Sequence, residues 1–329
     1  MIPLRRDLFI SAALLLAVSM GVGLPAGAQS TYPNKPIRLV VPFTTGGVTD
    51  TSARVVADAL SKRLGQQVIV DNRPGASGNI GTQQVAVAEP DGYTLLLGFD
   101  GTMVINPHVF DKVPFNTVKD FAPVGKIGDA ILILVAYPGL PAKNLRDILA
   151  LSKTQSGGLF YGTSGTGGTP HIAGELLKQR TGANLTHVPY KGGGQAIIDA
   201  MGGNIPLVYT AVAGAQQHVK SGKLVGVAVS SAQRSVSLPD VPTFIESGVK
   251  DFEINSWVGI LAPIKTPKPI VEKLNTDLSA VLSDPEVRER LSVLGINATP
   301  GSAEKFGDEI KRDLARYGAV VKAAGIKAE

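Results

Sequence analysis

A chain of 329 residues, 44% of them hydrophobic, can form one large or two modest domains, each with its own core. It has no cysteine, which excludes a disulfide framework, a thiolate zinc site, a thiol nucleophile and a lipid-anchored cysteine. The formal charge of +5 is spread along the chain without Lys/Arg runs interleaved with aromatics, so no nucleic-acid partner is expected and weak attraction for anions is the most it supports.

Arg5 and Arg6 precede an apolar run over residues 8–20, and the small-residue pattern Ala26-Gly27-Ala28 follows. That is the layout of a signal peptide. The run is shorter than the roughly 20 residues that cross a bilayer, so residues 1–28 are expected to be a leader cleaved after Ala28, freeing the mature chain in the periplasm. Arg5-Arg6 followed by Asp7-Leu8-Phe9 also fits a twin-arginine signal, and both export routes stay open. The leader carries two arginines and one aspartate, so its loss takes the charge from +5 to +4.

Residues 37–43 read as a buried strand, followed by Thr44-Thr45-Gly46-Gly47-Val48-Thr49-Asp50 and a helix. Ala53, Val56, Ala57, Leu60 and Leu64 recur at helical spacing, Thr49 or Asp50 can cap the start, and Gly65 stops the helix. A strand over 68–70, a loop over 72–78 and a helix through Val87 come next. A strand over 94–97 then opens into Gly98-Phe99-Asp100-Gly101-Thr102. Strands alternating with helices imply a mainly parallel sheet with right-handed crossovers.

The pattern restarts after Pro138 with a helix over 145–153, a strand over 159–161 and the loop Gly162-Thr163-Ser164-Gly165-Thr166-Gly167-Gly168-Thr169 before a helix at Pro170. A strand over 186–189 leads through Tyr190-Lys191-Gly192-Gly193-Gly194 to a helix at Gln195, and strands over 205–210 and 224–230 follow. Residues 252–262 run extended through Trp257, the sole tryptophan, and helices over 269–282, 285–294 and 303–324 close the chain. Asp284 and Pro285 mark the start of the middle one. The expected organisation is two α/β lobes, the first from residues 29–130 and 255–329 and the second from 131–254. Two connections, near 128–133 and 254–257, would permit hinge closure.

Four loops share one layout: a strand ends, glycines or hydroxyl residues follow, and a helix or turn begins. They span residues 43–50, 98–102, 162–169 and 190–194. In an open parallel sheet such loops lie at the carboxyl edge, where ligands bind. Glycine lets the backbone approach a ligand, and free N–H groups at helix starts favour an anion. Two such loops on each lobe describe a clamp for a small anion. Thr169 and Asp50 are either helix caps or ligand contacts. His171 either donates to an anion or sits at the surface, Lys191 is either a charge partner or solvated, and Arg73 braces its loop.

Enzyme signatures are missing. The segment around Ser164 lacks the second glycine of a nucleophile elbow, there is no phosphate-binding Gly-x-x-x-x-Gly-Lys-Ser/Thr run, and the Gly165 to Gly168 glycines have the wrong spacing for a dinucleotide. The four histidines form no metal-binding pattern. No enzyme activity, metal or cofactor is expected. A hydrolase built on Ser164, His187 and an aspartate stays open, and turnover of activated esters separates it from a binder.

Several segments together resemble one family, the substrate-binding proteins of tripartite tricarboxylate transporters, also called the Bug family. They include Tyr32-Pro33-Asn34-Lys35-Pro36-Ile37, Val41-Pro42-Phe43 with Gly46-Gly47 and Asp50, Asn72-Arg73-Pro74-Gly75-Ala76 and Pro90-Asp91-Gly92-Tyr93-Thr94. His187-Val188-Pro189-Tyr190-Lys191-Gly192-Gly193, Leu238-Pro239-Asp240-Val241-Pro242-Thr243 and Trp257-Val258-Gly259 extend the resemblance over essentially the whole mature chain. It implies a type II periplasmic binding protein fold and a small carboxylate, with a dicarboxylate, aliphatic or aromatic (terephthalate-like), as the leading choice. Acidic amino acids and nicotinate-like acids stand behind. It also implies a monomer serving the membrane subunits of a transporter, a sensing role being the alternative. Carried over by position, the first-lobe contacts are Phe43, Thr44, Thr45, Gly47, Thr49, Asp50, Asp100, Gly101 and Thr102. Those of the second lobe are Ser164, Gly165, Thr166, Thr169, His171 and Thr210. The sequence departs from the family at Thr44, Thr45, Asp100 and Thr210, which bears on ligand choice.

Overall fold

The computed structural model describes residues 32–46, 48–190 and 192–327, with Val48 as backbone alone. The expected leader, Gly47 and Lys191 lie outside the described residues.

The first sheet begins with three parallel strands, β1 (Ile37–Val41), β2 (Val68–Asn72) and β3 (Thr94–Phe99), β1 lying between the other two. Helix α1 (Val48–Leu64) joins β1 to β2. It buries Ala53, Val56, Ala57 and Leu60, the i, i+3, i+4, i+7 positions that face a sheet, and Gly65 ends it at φ +65°. A 3₁₀ turn (Ala76–Gly78) and α2 (Asn79–Ala86) lead from β2 to β3. After β3 a π turn (Gly101–Ile105) runs into the short α3 (Asn106–Val109).

The next strand is long. β4 (Phe121–Ala130) ends one residue before β5 (Leu132–Ala136), so the chain passes from the first sheet to the second through Ile131. The second sheet gathers β5, β6 (Leu159–Thr163), β7 (Leu185–Pro189), β8 (Leu207–Ala211) and β9 (Val225–Val229) in the order β7-β6-β8-β5-β9. Helices α4 (Leu145–Thr154), α5 (Thr169–Thr181), α6 (Gly193–Met201) and α7 (Val212–Lys220) connect them. The chain returns through β10 (Ser256–Pro263), which inserts between β3 and β4. Helices α8 (Lys268–Ser283) and α9 (Pro285–Val293), the short β11 (Ile296–Ala298) beside β4, and α10 (Ala303–Ala324) complete the first lobe. The Asp284 carboxylate accepts from the Glu286 and Val287 N–H groups, as the Asp-Pro start of α9 predicts.

Each sheet is mostly codirectional with a crossing strand against the grain: β10 is antiparallel to β3 and β4, and β5 is antiparallel to β8 and β9, while the short edge strand β11 is also antiparallel to β4. The remaining long strands end toward the loops that carry glycines and hydroxyls. A strand arriving from the other lobe enters at that edge and has to run the opposite way. The two crossings lie side by side, since Ser256 pairs with Ala130 in register and the Ser230 N–H donates to Leu132 O at 2.9 Å. Ser230 is fully buried; its hydroxyl accepts from the Leu132 N–H (3.0 Å) and sits 3.1 Å from Asn255 Oδ1. A pair of adjacent strands bound to one another bends as a unit, the geometry of a hinge.

The type II binding-protein architecture expected from sequence is present, with differences at particular elements. The first strand stops at Val41, because Pro42 cannot donate to a ladder. Asp50 lies inside the first turn of α1, two residues past its start. β4 was not anticipated: Pro123, Gly125 and Gly128 break the β-forming pattern. A β-carbon on Gly128 would collide with the Asn297 carbonyl of β11, so glycine there permits close approach of two strands.

Candidate ligand cleft

The ends of β1 and β3 face the loops that follow β6 and β7 across a cleft of about 550 Å³. From the first lobe it is lined by Phe43, Ser77, Phe99, Gly101, Thr102, Asn106 and the α3 end, and from the second by residues 165–168, Pro189 and Tyr190. None of these described lining residues is charged. Another groove, about 380 Å³ between Phe121, Ile264 and α10, holds none of the expected contacts.

The loop after β1 is held from beneath. Asp50, almost fully buried, accepts from the Gly46 N–H (2.9 Å), Arg54 Nε (3.1 Å) and Asn72 Nδ2 (2.9 Å), and Asn72 Nδ2 also reaches Phe43 O at 3.0 Å. Burial pushes the Asp50 carboxyl up, but the hydrogen bonds from Arg54, the Gly46 amide and Asn72 outweigh it and hold it below its ordinary range. Thr44 and Thr45 are exposed above this brace and Thr49 is half-buried at the helix start. Replacing Asp50 with alanine is expected to lower stability by about 2 kcal/mol at neutral pH, because the part-buried Gly46 amide, Asn72 side chain and Arg54 guanidinium lose their common acceptor. Because the folded carboxyl is depressed, its contribution is present above the ordinary carboxylate range and lost as the pH falls through its folded pKa. Urea titrations should therefore show wild type and variant converging in acid.

The loop after β3 begins with Asp100, which is fully buried and joins the lobes. Its Oδ2 accepts from Thr169 Oγ1 at 2.7 Å, at the start of α5, and its Oδ1 accepts from Ser256 Oγ at 2.6 Å, on the crossing strand β10. Burial drives its carboxyl up to about 7, against the hydrogen bonds from Ser256, Thr169 and the Gly101 amide. Gly101 and Thr102 follow and line the cleft. The Thr102 hydroxyl donates to Ser77 O at 2.9 Å and Asn106 Nδ2 donates to the same carbonyl at 2.9 Å. Ser77 itself has φ +53°.

In the second lobe the loop after β6 turns at Gly165, whose φ is +140°. Thr163 Oγ1 donates to Gly165 O (2.9 Å) or to His187 Nε2, 2.7 Å away, and accepts from the Gly165 N–H (3.2 Å). The Gly167 N–H donates to His171 Nδ1 at 3.1 Å, and the His171 and His187 rings stack at 3.6 Å. Burial pushes His171 down to about 4 and His187 to about 3, the latter also opposed by the facing His171. Both rings are neutral at physiological pH and act as fixed hydrogen-bonding braces. His171 is thus buried behind the loop.

The structure brings Phe43, Gly101, Thr102, Gly165 and Thr166 to the cleft wall. It places Asp50, Asp100, Thr169 and His171 behind that wall, each with its polar atoms engaged by the protein. Ser164 is exposed, and a β-carbon on Gly193 would lie 4.0 Å from its Cβ and 3.0 Å from Thr210 Oγ1, so Ser164, Gly193 and Thr210 meet beside the start of α6. Ser77, Phe99, Asn106, Phe110 and Tyr190 were not among the contacts anticipated from sequence. For Asn106 the signal was the Asn-Pro pair that opens α3; Phe99 and Tyr190 stand in two of the four candidate loops, and Phe110 carries no signal beyond hydrophobicity.

Two α/β lobes with a double crossing, and glycine- and hydroxyl-bearing strand-end loops around a cleft, define a two-lobed solute-binding protein. A family model described as the tripartite tricarboxylate transporter family receptor matches residues 52–326. The chain belongs to that family. BugT of Bordetella pertussis is 34% identical over 317 residues, covering 95% of this chain and 96% of its own. Among solved structures, a protein of R. palustris with adipate is 35% identical with a TM-score of 0.77, covering 90% of this chain and 99% of its own. MatC from Rhodopseudomonas palustris with bound malate is 31% identical with a TM-score of 0.73, covering 88% and 100%. The protein is a periplasmic solute-binding protein and not an enzyme. His187 Nε2 faces Thr163 Oγ1 at 2.7 Å and is not paired with Ser164.

Proposed function

We propose that the mature chain, exported by the leader over residues 1–28 and cleaved after Ala28, works as a monomer that captures a small dicarboxylate, aliphatic or aromatic, and delivers it to the membrane subunits of a tripartite transporter. The observation that carries this reading is the cleft itself, lined by hydroxyls, an amide side chain and glycine-rich backbone, with no charged side chain among its described lining residues. A carboxylate that accepts several aligned hydrogen bonds stays ionised without a countercharge, each bond contributing about 1.5–3 kcal/mol. The relatives solved with adipate and with malate support a dicarboxylate.

We assign the ligand contacts to Phe43, Thr44, Thr45, Gly47, Thr49, Gly101, Thr102, Ser164, Gly165, Thr166 and Thr210. Asp50, Asp100, Thr169 and His171 hold the loops that present them. In this reading residues 29–130 and 255–329 form one lobe and 131–254 the other, and ligand draws them together about the paired crossings. A thermal-shift screen of the purified protein against a dicarboxylate panel tests it. A ligand at 100 times its Kd adds about 2.7 kcal/mol, and small-angle scattering should show a smaller radius of gyration at saturation. A panel without a single stabilising acid would sink the proposal; unchanged dimensions at saturation would remove the hinge closure.

A further inference from the structure

Aromatic residues make up 5% of the chain, yet Phe43, Phe99, Phe110 and Tyr190 supply four of the fourteen residues that line the cleft. They come from four separate elements, the ends of β1, β3, α3 and β7. Phe43 and Phe99 meet edge to face, centroids 5.4 Å apart and planes at 86°, which leaves ring surface toward the cleft. Tyr190 comes from the opposite lobe. Its hydroxyl donates to Asp199 Oδ2 at 3.0 Å, on α6, and its ring packs over Gly162 and the second-lobe core while also lining the cleft. Burial, with the Asp199 hydrogen bond, also raises the Tyr190 hydroxyl above its ordinary pKa, keeping it a neutral donor.

Hydrogen-bond donors occupy the same cleft. The Ser77 and Thr166 hydroxyls suit one carboxylate, while the Gly101 and Gly165 N–H groups are engaged by Asp100 and Thr163. A short hydroxy acid would satisfy those donors and leave the exposed parts of four half-buried rings facing water.

Resting on the carboxylate-binding reading above, we infer that the ligand carries an aromatic ring, and that Phe99, Phe110 and Tyr190 are the residues that select it. The ring lies between the first-lobe phenylalanines and Tyr190, so closing the lobes completes the aromatic contact. Rings offset or edge-on to one another gain more than their buried area alone provides.

Isothermal titration of the purified protein with benzoate, terephthalate, adipate and malate tests the assignment. One of the two aromatic acids is expected to bind about tenfold or more tightly than adipate and malate, and Phe110→Leu and Tyr190→Leu should each weaken that acid by about tenfold and adipate by a clearly smaller factor, so that the aromatic preference shrinks. Tyr190→Phe, which keeps the ring and loses only the bond to Asp199, should retain the aromatic preference, and thermal melts identify any variant that fails to fold. Adipate or malate binding as tightly as the better aromatic acid would overturn the inference and leave the carboxylate reading standing. Leucine variants that weaken aromatic and aliphatic acids alike would overturn it too. Failure of all four acids to bind would overturn both.

Discussion

Replacing Asp100 with alanine is expected to lower stability at pH 5 by roughly 4 kcal/mol, because the buried Thr169 and Ser256 hydroxyls both lose their partner. The folded carboxyl titrates at about 7, above its ordinary value of 3.8. The folded state therefore keeps a proton that the unfolded chain releases between those values. The stabilising contribution is full below the ordinary value and is lost as the pH rises through about 7, a swing on the order of 4 kcal/mol. Asp100→Asn, which preserves size and hydrogen bonding, should flatten that slope, and urea unfolding at pH 5 and pH 8 measures it. Some slope persists from Asp129, raised to about 6 by burial, and from Asp313, which is raised by burial and by Glu309 and which also faces Asp100 from α10 beside Tyr317. A variant with the wild-type slope would show that Asp100 is not the titrating group. Loss of the Thr169 bond also frees the loop after β3 and the end of the loop after β6, so adipate affinity should fall in Asp100→Ala.

The second large effect concerns binding. Gly165→Val is expected to weaken adipate binding by about a hundredfold, since a β-branched residue at φ +140° carries strain of roughly 1–3 kcal/mol and its methyl groups enter the cleft. A β-carbon there meets only Tyr190 O, 3.7 Å away. The fold has room for the side chain, so stability should fall by no more than the backbone strain of about 1–3 kcal/mol and the protein should stay folded. Gly165→Ala, with the same backbone demand and less bulk, should fall between wild type and valine. Calorimetry showing equal affinities for all three would mean that this loop does not approach the ligand.

Local chemistry made much of this protein legible. The spacing of Ala53, Val56, Ala57 and Leu60 marks the buried face of α1, and Asp284-Pro285 marks the start of α9, because both depend on contacts within a few residues. The four glycine- and hydroxyl-rich loops were identifiable for the same reason: a strand end, a turn and a helix start follow one another in sequence. β4 and β11 escaped because their strands are defined by pairing with distant partners, and close packing there requires the glycines that weaken a strand signal.

What the sequence by itself determined was the class: a two-lobed α/β binder of small anions, built from short-range patterns that have a fixed physical meaning. Tertiary structure alone decided the roles within the site. Asp100 lies 69 residues from Thr169 and 156 from Ser256. Only the double crossing brings the three together, which turns a candidate contact into an inter-lobe bond. Phe99 and Tyr190 read locally as core or loop residues, and they face one cleft because β3 and β7 end at opposite rims. A side chain's burial and partners depend on which distant elements pack against it, and one-dimensional spacing carries no record of that.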